Sequence, residues 1–166
     1  MREMKPQELT VEGFQKYGSF CSMTAPDGQK LGPAPVEFFR DMIHVPLGTN
    51  GAPTCSVTQI SPRPMIAEKF EYHSCTGEGF MPIDQDVIIH IAPAGKKDII
   101  PYDKIEVFRV PKGTMVTMYP GVWHAAPFTA GNEVAHVLVI LPERTYANDC
   151  EVVLFPDEEK IQLVTE

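Results

Sequence analysis

Residues 71–82 of the chain read EYHSCTGEGFMP, and they bring together three side chains that can bind a metal ion or transfer protons. In an extended strand, side chains two residues apart share a face, so Glu71 and His73 are predicted to point the same way. A turn at Thr76-Gly77 would then return Glu78 beside them on the next strand. Two carboxylates and an imidazole on one concave face form either a divalent-metal site or an acid/base cluster.

A second stretch, YPGVWH at residues 119–124, places a Pro-Gly turn shortly before His124. We interpret the neighbouring Trp123 as a packing residue, because isolated aromatic side chains usually fill protein cores. An alternative for the polar groups is an internal hydrogen-bonded network without an ion, which needs protonation, water or a nearby cation. The two stretches predict a site of four residues, each a candidate catalytic group and a candidate metal ligand: Glu71, His73, Glu78 and His124.

Short apolar runs between turn residues predict an all-β sandwich or barrel around these stretches. The chain has 16 prolines and 12 glycines, and the runs between them are rich in Val, Ile, Phe and Tyr. One short helix is predicted over residues 11–17, where Thr10 can cap its start and Gly18 can end it. Residues 25–35 are predicted to form a long loop. The predicted strands cover residues 38–46, 55–60, 67–74, 79–82, 87–92, 104–110, 114–119, 134–141 and 151–155.

Length, charge and cysteine usage limit the class of protein. At 166 residues the chain suits a single domain, with residues 1–53 as helix, loop and accessory strands, 54–156 as the barrel and 157–166 as a C-terminal tail. The net charge of −8, without a run of Lys or Arg, excludes nucleic acid as an expected partner. No segment is apolar enough for a signal peptide or a membrane span, so a cytoplasmic protein without a membrane partner is expected. The four cysteines are expected to be reduced and mostly buried.

Two predicted strands, residues 87–92 and 134–141, are apolar at nearly every position, so both of their faces must be covered. A barrel interior can cover one face, and a second sheet or a second subunit can cover the other. We therefore predict a homodimer. His90 and His136 lie within these strands, and we interpret them as core histidines outside the site.

The two stretches resemble the paired motifs of the cupin superfamily. These motifs are His-x-His, three or four residues and Glu, followed later in the chain by Pro-x-Gly-x-x-His. His73 and Glu78 match the second histidine and the glutamate, Glu71 takes the place of the first histidine, and Gly121 with His124 matches Gly-x-x-His. The resemblance implies a cupin-type double-stranded β-helix (jelly-roll) barrel with one short N-terminal helix.

Within that superfamily the chain is similar to the ureidoglycolate lyase family, historically called ureidoglycolate hydrolase. Residues 9–18, LTVEGFQKYG, resemble the opening helix and Tyr-Gly turn of that family. Residues 122–128, VWHAAPF, resemble its Val-Trp-His-His-Pro segment, and residues 148–152, NDCEV, resemble its Asn-Cys-Asp-Val run. Glu71-x-His73 and the following Phe80-Met81-Pro82 resemble its first barrel motif. The resemblance therefore extends over most of the chain.

Three positions depart from the family pattern. Glu78 stands where the family usually has Gln, and Ala125 and Pro120 stand where it usually has His. The loss of two histidines removes proton carriers or substrate contacts, while Glu78 moves the site toward the general metal-binding cupin pattern. These departures concern the substrate rather than the fold.

The resemblance implies a small-molecule substrate and the cleavage of ureidoglycolate to glyoxylate and urea in allantoin and purine catabolism. Breaking this carbon–nitrogen bond needs a base near the hydroxyl and an acid near the departing nitrogen. We assign Glu78 or Glu71 as the base and His124 as the acid. In a second arrangement, a divalent metal ion held by the histidines and one or both carboxylates binds the substrate's carboxylate and hydroxyl.

Two other classes of function stay open. The first is a metal-dependent cupin isomerase, epimerase or dioxygenase acting on another small acid or sugar, because two Glu and two His residues can hold manganese, iron, nickel or zinc. The second is a non-catalytic cupin that binds a small ligand. A fold alone does not separate these classes from a lyase.

Overall fold

The computed structural model of the chain describes residues 1–48 and 51–165. Strands form most of the regular structure in these residues. They are β1 (Arg2–Met4), β2 (Gln7–Glu8), β3 (Gly18–Ser22), β4 (Gln29–Leu31), β5 (Phe38–Arg40), β6 (Pro53–Ile60), β7 (Ile66–Ala67), β8 (Lys69–Tyr72), β9 (Glu78–Pro82), β10 (Val87–Ala92), β11 (Glu106–Val110), β12 (Thr114–Met118), β13 (Trp123–His124), β14 (Phe128–Thr129), β15 (Ala135–Pro142), β16 (Glu151–Leu154) and β17 (Ile161–Leu163). The predicted all-β class is confirmed.

The helical segments of the described residues are short: the α-helices α1 (Val11–Phe14) and α2 (Thr145–Asn148), and 3-10 turns at Tyr102–Lys104 and Asp157–Glu159. Helix α1 begins where predicted, because the Thr10 hydroxyl accepts a hydrogen bond from the Gly13 amide at 3.1 Å. It ends at Phe14 rather than at Tyr17, and Gly18 already belongs to β3. The sequence did not predict α2.

Two large sheets form the barrel. One has seven strands in the order β16-β8-β13-β10-β11-β2, with β14 also paired to β10, and the other has five strands in the order β3-β12-β9-β15-β6. Apolar side chains from both sheets form one buried cluster, which we call the inner core; they include Phe80 and Val137 from the five-stranded sheet and Ile89 and Phe108 from the seven-stranded sheet. The inner core therefore lies between the sheets, as in a jelly roll.

A second buried cluster, which we call the outer core, covers the other face of the seven-stranded sheet. Ile88 and Trp123 contribute to it from the sheet, and Ile161 and Leu163 contribute from β17. Strand β17 pairs with β1 and β7 in a separate three-stranded sheet. Both faces of β10 are thus covered, as predicted, but by the same chain rather than by a second subunit.

The C-terminal region differs from the tail predicted for residues 157–166. Residues 161–163 form strand β17. The side chains of Ile161 and Leu163 are buried because they cover the outer core. Position 166 lies outside the described residues, as do positions 49 and 50 in the predicted N-terminal region. The division of the chain into one domain with three regions stays a prediction.

Only one of the two apolar faces of strand β15 is completely buried. Val137 and Val139 are buried in the inner core, while Leu138 and Ile140 on the outer face are half-buried. The neighbouring Val57 of β6, which pairs with Leu138, is 60% exposed. This outer face of β6 and β15 is the part of the two predicted apolar strands that a second subunit could still cover.

The N-terminal third also differs from its prediction. Residues 25–35 were expected to form a loop, yet they contain β4, which pairs with β5 in a separate two-stranded sheet. The strand predicted over residues 38–46 ends at Arg40. Beyond it the chain runs across the five-stranded sheet, where Val45 lies so close to Gly79 that an added Cβ there would be 3.0 Å from a Val45 methyl carbon.

The cysteines are unpaired, as expected, but the expectation that most of them are buried is wrong. Cys55 and Cys75 are exposed, and Cys21 and Cys150 are partly exposed. Cys55 lies on the outer face of the edge strand β6, and Cys75 lies in the connection after β8, so neither reaches a core. Among the described residues, no helix is long and apolar enough to span a membrane.

Candidate active site

Strand pairing places Glu71 and His124 side by side. Glu71 of β8 and His124 of β13 are directly opposed in the antiparallel register, so their side chains share a face of the sheet. The flanking residues Phe70 and Tyr72 point the other way, into the outer core. Glu71 and His124 therefore face the barrel interior, and Tyr72 lies outside it, as strand alternation predicted.

Glu78 reaches the same place from the opposite sheet. The sequence suggested a turn that returns it on a strand next to β8, but β9 pairs with β12 and β15 in the five-stranded sheet. The connection crosses between the sheets because Gly77 fits into a tight space, where a Cβ would lie 2.2 Å from the Met118 carbonyl oxygen. The Gly77 amide also donates to the Pro46 carbonyl at 2.8 Å. Glu78 therefore faces His73 and His124 across the barrel.

Three of the four predicted site residues form one cluster. The Oε2 atom of Glu78 lies 3.2 Å from His124 Nε2 and 3.4 Å from His73 Nε2. All three residues are at most 9% exposed. Glu71 lies next to this cluster, and its carboxylate instead comes within 4.8 Å of ligand atoms of His73 and Cys150.

Hydrogen bonds on the far side of each ring fix the orientation of the two histidines. His73 Nδ1 lies 2.6 Å from the Asp149 carbonyl oxygen, and His124 Nδ1 lies 2.9 Å from the Val122 carbonyl oxygen. A carbonyl oxygen only accepts, so both Nδ1 atoms carry a hydrogen and donate it. Both Nε2 atoms consequently point toward the carboxylate of Glu78.

Both Nε2 atoms face a carboxylate, which, like a carbonyl oxygen, can only accept hydrogen bonds. Two states of each Nε2 atom are compatible with this neighbour. Either each Nε2 is protonated, or its lone pair binds a cation that the carboxylate shares. His73 Nε2 is buried and makes no hydrogen bond to any described residue. A buried polar atom in this state is costly unless a ligand satisfies it. The cluster is thus suited to hold a cation.

Electrostatics couple Glu78 and His124 when no ion is present. Burial raises the pKa of Glu78, but the imidazoles of His124 and His73 outweigh this effect and lower the pKa to about 2. Burial lowers the pKa of His124, but the Glu78 carboxylate outweighs this effect and raises the pKa above the ordinary value. The two groups therefore favour an imidazolium beside a carboxylate, and a metal ion would have to displace protons to bind.

The separations in the cluster fit a divalent metal ion. Nitrogen and oxygen ligands lie about 2.1 Å from zinc, so two ligands of one tetrahedral or octahedral shell are about 3.0–3.4 Å apart. The two Glu78 to histidine distances, 3.2 and 3.4 Å, fall in this range. His73, Glu78 and His124 are therefore the residues that would hold an ion, with imidazole and carboxylate donors that suit manganese, iron, nickel or zinc.

Asp149 supports the cluster, a role that sequence reasoning missed. Its carboxylate accepts hydrogen bonds from the Ser74 amide at 2.8 Å, the Ser74 hydroxyl at 2.7 Å and the Cys75 amide at 2.8 Å. Its carbonyl oxygen holds His73 Nδ1. Asp149 thus fixes both the backbone after His73 and the ring itself. Because 76 positions separate the two residues, no local spacing could link them.

A cavity of about 220 Å³ opens beside the cluster. Glu71, Glu78, His124 and Tyr146 form one end of it, which we call the polar end. The other lining residues are Thr58, Phe80, Ile89, Met118, Ala125, Ala126, Pro127, Val137 and Val139. No lysine or arginine of the described residues lines it. The cavity is therefore a pocket with two carboxylates and one imidazole, and without a lysine or arginine among its described lining residues.

Tyr146 is a second residue that sequence reasoning missed. It lies on α2, a helix of one turn that the sequence pattern did not reveal. Burial and the carboxylates of Glu78 and Glu71 raise the pKa of Tyr146 to about 12. At neutral pH the phenol is therefore protonated and can donate a hydrogen bond into the polar end.

The two histidines that we left out of the site have other partners, and so do Arg63 and Arg109. His90 Nε2 donates to the Lys69 carbonyl at 2.8 Å in the outer core, and His136 pairs with Asp84 at 2.6 Å. Arg63 donates to two backbone carbonyls, and Arg109 pairs with Asp86 at 2.7 Å. None of these side chains lines the cavity. His90 is a core histidine, as predicted, but His136 is not, because its side chain is 39% exposed.

Solved structures resemble the chain in fold. A dTDP sugar isomerase from Desulfovibrio desulfuricans G20 gives a TM-score of 0.50 at 12% identity and covers 87% of this chain and 89% of that chain. Oxalate decarboxylase from Bacillus subtilis, a protein with Mn(II) centres, gives 0.45 at 16% identity and covers 63% of this chain. The chain spans only 24% of the oxalate decarboxylase chain. The predicted cupin fold is confirmed.

Comparison of the sequence identifies the family, whereas the solved structures show only the fold. No curated protein matches the chain. The family model described as ureidoglycolate lyase matches residues 1–162, which is nearly the whole sequence. This match confirms the resemblance drawn from the motifs around His73, His124 and Asp149. The chain belongs to the ureidoglycolate lyase family of cupin enzymes.

Proposed function

We propose that the cavity is the active site of a carbon–nitrogen lyase that cleaves ureidoglycolate to glyoxylate and urea. The observation that carries this proposal is the buried cluster of His73, Glu78 and His124 at the polar end of the cavity, with a further carboxylate, Glu71, beside it. Membership of the lyase family supports the reaction class.

The reaction requires two proton movements. The substrate hydroxyl loses its proton as the carbon–oxygen bond becomes a carbonyl, and the urea nitrogen gains a proton as the carbon–nitrogen bond breaks. Glu71 is the better base of the two carboxylates, because the histidines hold Glu78 and lower its pKa to about 2. Glu71 lines the cavity and can reach a hydroxyl placed there.

The proton donor depends on whether an ion occupies the cluster. Without one, His124 is the donor, because the Glu78 carboxylate raises its pKa and so favours the form with a proton on Nε2, although burial opposes this. With an ion bound, His124 would be a ligand, and the protonated phenol of Tyr146 would be the remaining donor at the polar end. His124 is thus the proton donor in the first arrangement and a metal ligand in the second, in which Tyr146 is the proton donor.

We favour the arrangement with a divalent metal ion, held by His73, Glu78 and His124. A substrate carboxylate would otherwise meet Glu71 and Glu78 in a cavity that no lysine or arginine of the described residues lines, and in which the imidazole of His124 is already paired with Glu78. When bound, a divalent ion supplies positive charge for the substrate carboxylate and polarises the hydroxyl oxygen. The Nε2 atom of His73, which is buried 3.4 Å from the Glu78 carboxylate without a well-formed hydrogen bond, supports the same arrangement.

The test is an assay of urea and glyoxylate release from ureidoglycolate by the purified protein, before and after chelation and after addition of Mn²⁺, Fe²⁺, Ni²⁺ or Zn²⁺. Release that disappears with chelator and returns with one metal supports the metal arrangement. Release that is insensitive to chelator supports proton transfer by Glu71 and His124 alone. No release under any condition would reject the lyase.

One observation favours a second function, a metal-dependent enzyme that acts on a different small acid. Glu78 replaces the Gln of the family, and Ala125 lines the cavity where the family has His. The cavity therefore has one more carboxylate and one fewer imidazole than the family pattern implies. Metal binding together with a lack of ureidoglycolate cleavage would support this alternative.

We also propose that the outer face of β6 and β15 is the contact of a homodimer. Val57 is 60% exposed there and lies beside the half-buried Leu138. Light scattering after size exclusion should give about twice 18.5 kDa. The change Val57→Glu should give the monomer mass, while Val36→Glu, at a position that is 78% exposed on another part of the chain, should leave the dimer intact.

The cytoplasmic location stays a proposal. It rests on the four free cysteines, since proteins of reducing compartments rarely form disulfides. Cell fractionation with antibody detection would test it. Recovery in a membrane or secreted fraction would contradict it.

A further inference from the structure

His73 belongs to two groups of possible metal ligands. The first is the cluster with Glu78 and His124, and the second joins His73 to Glu71 and Cys150. In each group the ligand atoms lie within 4.8 Å of one another. Cys150 has no part in the reaction described above, and it brings a sulfur atom close to the cluster. The two groups therefore differ in chemistry, since the first offers only nitrogen and oxygen.

The pairing of β16 with β8 explains the position of Cys150. Val152 of β16 is opposite Glu71 of β8, and two positions further along this antiparallel register, just beyond the ends of the two strands, Cys150 comes opposite His73. The Asp149 carbonyl accepts a hydrogen bond from His73 Nδ1 at 2.6 Å and holds the two segments together at this point. Because opposed side chains share a face of a sheet, Cys150 lies on the same side as Glu71 and His73.

The spacing of the second group suits a tetrahedral ion. Zinc binds sulfur at about 2.3 Å and nitrogen at about 2.1 Å, so neighbouring ligand atoms are about 3.6 Å apart. Atoms within 4.8 Å of one another reach this separation when the side chains move by about 1 Å. Cys150 is partly exposed, so an ion from solvent can reach the thiol.

The charges around Cys150 also favour a cation. Burial raises the pKa of the thiol, and the carboxylates of Glu71 and Glu78 raise it further. Without an ion the sulfur therefore keeps its proton, and an ion that binds must displace it. No lysine or arginine of the described residues lines the cavity beside the two carboxylates, so a bound cation would offset their charge.

One nitrogen atom serves both groups. His73 Nδ1 donates its hydrogen to the Asp149 carbonyl, so Nε2 is the nitrogen that can bind an ion. This atom is buried and makes no hydrogen bond to any described residue. Because its single lone pair binds one ion, an ion held by one group excludes an ion from the other. Sulfur selects thiophilic ions such as zinc and cadmium, whereas carboxylate oxygen suits manganese.

We propose that Cys150 is a metal ligand, and that thiophilic divalent ions such as Zn²⁺ bind Glu71, His73 and Cys150 instead of the first group. An ion in this position occupies the carboxylate of Glu71, which is the base of the proposed reaction, and leaves His124 paired with Glu78. Zinc therefore holds the enzyme in an inactive form. Only this inhibition rests on the proposed function, because the ligand assignment rests on the positions of the side chains.

Ultraviolet absorption of the Cd²⁺-loaded protein tests the ligand assignment, because a bond between a thiolate and Cd²⁺ gives a charge-transfer band that nitrogen and oxygen ligands do not give. The wild-type protein, first stripped of metal by chelation, should develop this band up to one equivalent of Cd²⁺. Cys150→Ser should lose the band. Cys75→Ser, which changes an exposed thiol two residues after His73, is the matched control and should retain it.

Calorimetric titration separates a lost ligand from a disturbed site. Cys150→Ser should weaken Cd²⁺ binding by about ten-fold or more, and it should weaken Mn²⁺ binding much less, because Mn²⁺ uses the first group. Circular dichroism checks that the variant folds. In the assay of the Mn²⁺-loaded enzyme, Cys150→Ser should need about ten-fold more Zn²⁺ for inhibition than the wild type or Cys75→Ser.

Four results would overturn the ligand assignment: no binding of Cd²⁺, binding without the band, a band that Cys150→Ser retains, and equal losses of Cd²⁺ and Mn²⁺ affinity in Cys150→Ser. Each would leave the lyase proposal standing, because urea release is measured on the wild-type protein. Equal inhibition of the wild type and Cys150→Ser by Zn²⁺ would overturn the inactive zinc form. If the band behaves as expected and ureidoglycolate is not cleaved, the proposed function fails and Cys150 stands as a metal ligand.

Discussion

Two buried histidines of the chain have opposite surroundings. His124, in the cavity wall, is 6% exposed and faces a carboxylate, while His90, in the outer core, is 2% exposed and stacks on Phe70 with ring centroids 5.2 Å apart. Burial lowers the pKa of both, but the carboxylate of Glu78 reverses this for His124, whereas the pKa of His90 falls to about 4. Burial therefore makes a histidine an aromatic packing residue unless an acidic partner is buried with it.

The largest expected effect separates the two histidines by activity. His124→Ala removes a metal ligand or the proton donor, so kcat/KM should fall by about a thousand-fold or more. His90→Phe retains an aromatic ring in the outer core and should keep activity within a few-fold. Steady-state assays of both variants with ureidoglycolate provide the measurement. Equal losses in both variants would break the comparison.

The next effect separates them by the pH dependence of stability. Because the pKa of His90 is about 4 in the folded chain and near 6.5 when unfolded, the unfolded state binds the extra proton first as pH falls. The contribution of His90 is complete above pH 6.5 and is lost between pH 6.5 and 4, by about 3 kcal/mol in all.

Urea unfolding at several pH values measures this effect. The His90→Phe variant should have a flatter profile than the wild type between pH 6.5 and 4, whereas His44→Gln, at an exposed position, should retain the wild-type slope. An identical slope in His90→Phe and wild type would show that the outer core does not hold a neutral histidine. Below this range, the lowered pKa of Glu78 predicts a further loss between pH 4.5 and 2.

A smaller effect is expected at the support of the cluster. Asp149→Asn replaces an acceptor of three hydrogen bonds from Ser74 and Cys75 by a group that is partly a donor. The ring of His73 should then lose its fixed position, and the affinity for Mn²⁺ should fall by about ten- to a hundred-fold. Calorimetric titration measures this. Asp157→Asn, at a side chain that is 92% exposed, is the control and should not change it.

The smallest effect is expected for Tyr146 at the polar end of the cavity. Tyr146→Phe removes the phenol hydroxyl but keeps the ring, so kcat should fall by about ten-fold while KM changes less. Tyr119→Phe, at a position that is 48% exposed outside the cavity lining, should have wild-type kinetics. An unchanged kcat in Tyr146→Phe would assign the proton transfer to His124 and thereby sharpen the contrast with His90.

Local patterns in the sequence were sufficient for the fold class and for most of the cluster. Alternation along β8 placed Glu71 toward the interior and Tyr72 away from it, and the doubly apolar run at residues 87–92 correctly indicated a strand covered on both sides. Such patterns act over a few residues, where backbone geometry fixes side-chain direction. The structure therefore agrees with them at these positions.

Long-range pairing was not accessible in the same way. The sequence did not indicate that β17 rather than a second subunit covers β10, nor that Glu78 belongs to the opposite sheet. Asp149 and Tyr146 reach the site through a one-turn helix, which is too short to leave a periodic pattern. Each of these features depends on which distant segments of the chain are in contact. The local patterns of a single sequence do not identify such contacts.

The crossing at Gly77 gives the cluster a second consequence. His73 follows a strand of one sheet and Glu78 begins a strand of the other, with only residues 74–77 between them. An ion held by both would connect the two sheets, and at a concentration a hundred times its dissociation constant it would add about 2.7 kcal/mol to the free energy of unfolding. The same ion–ligand bonds would then serve both catalysis and the contact between the two sheets. Loss of the ion would therefore lower the free energy of unfolding as well as stop turnover.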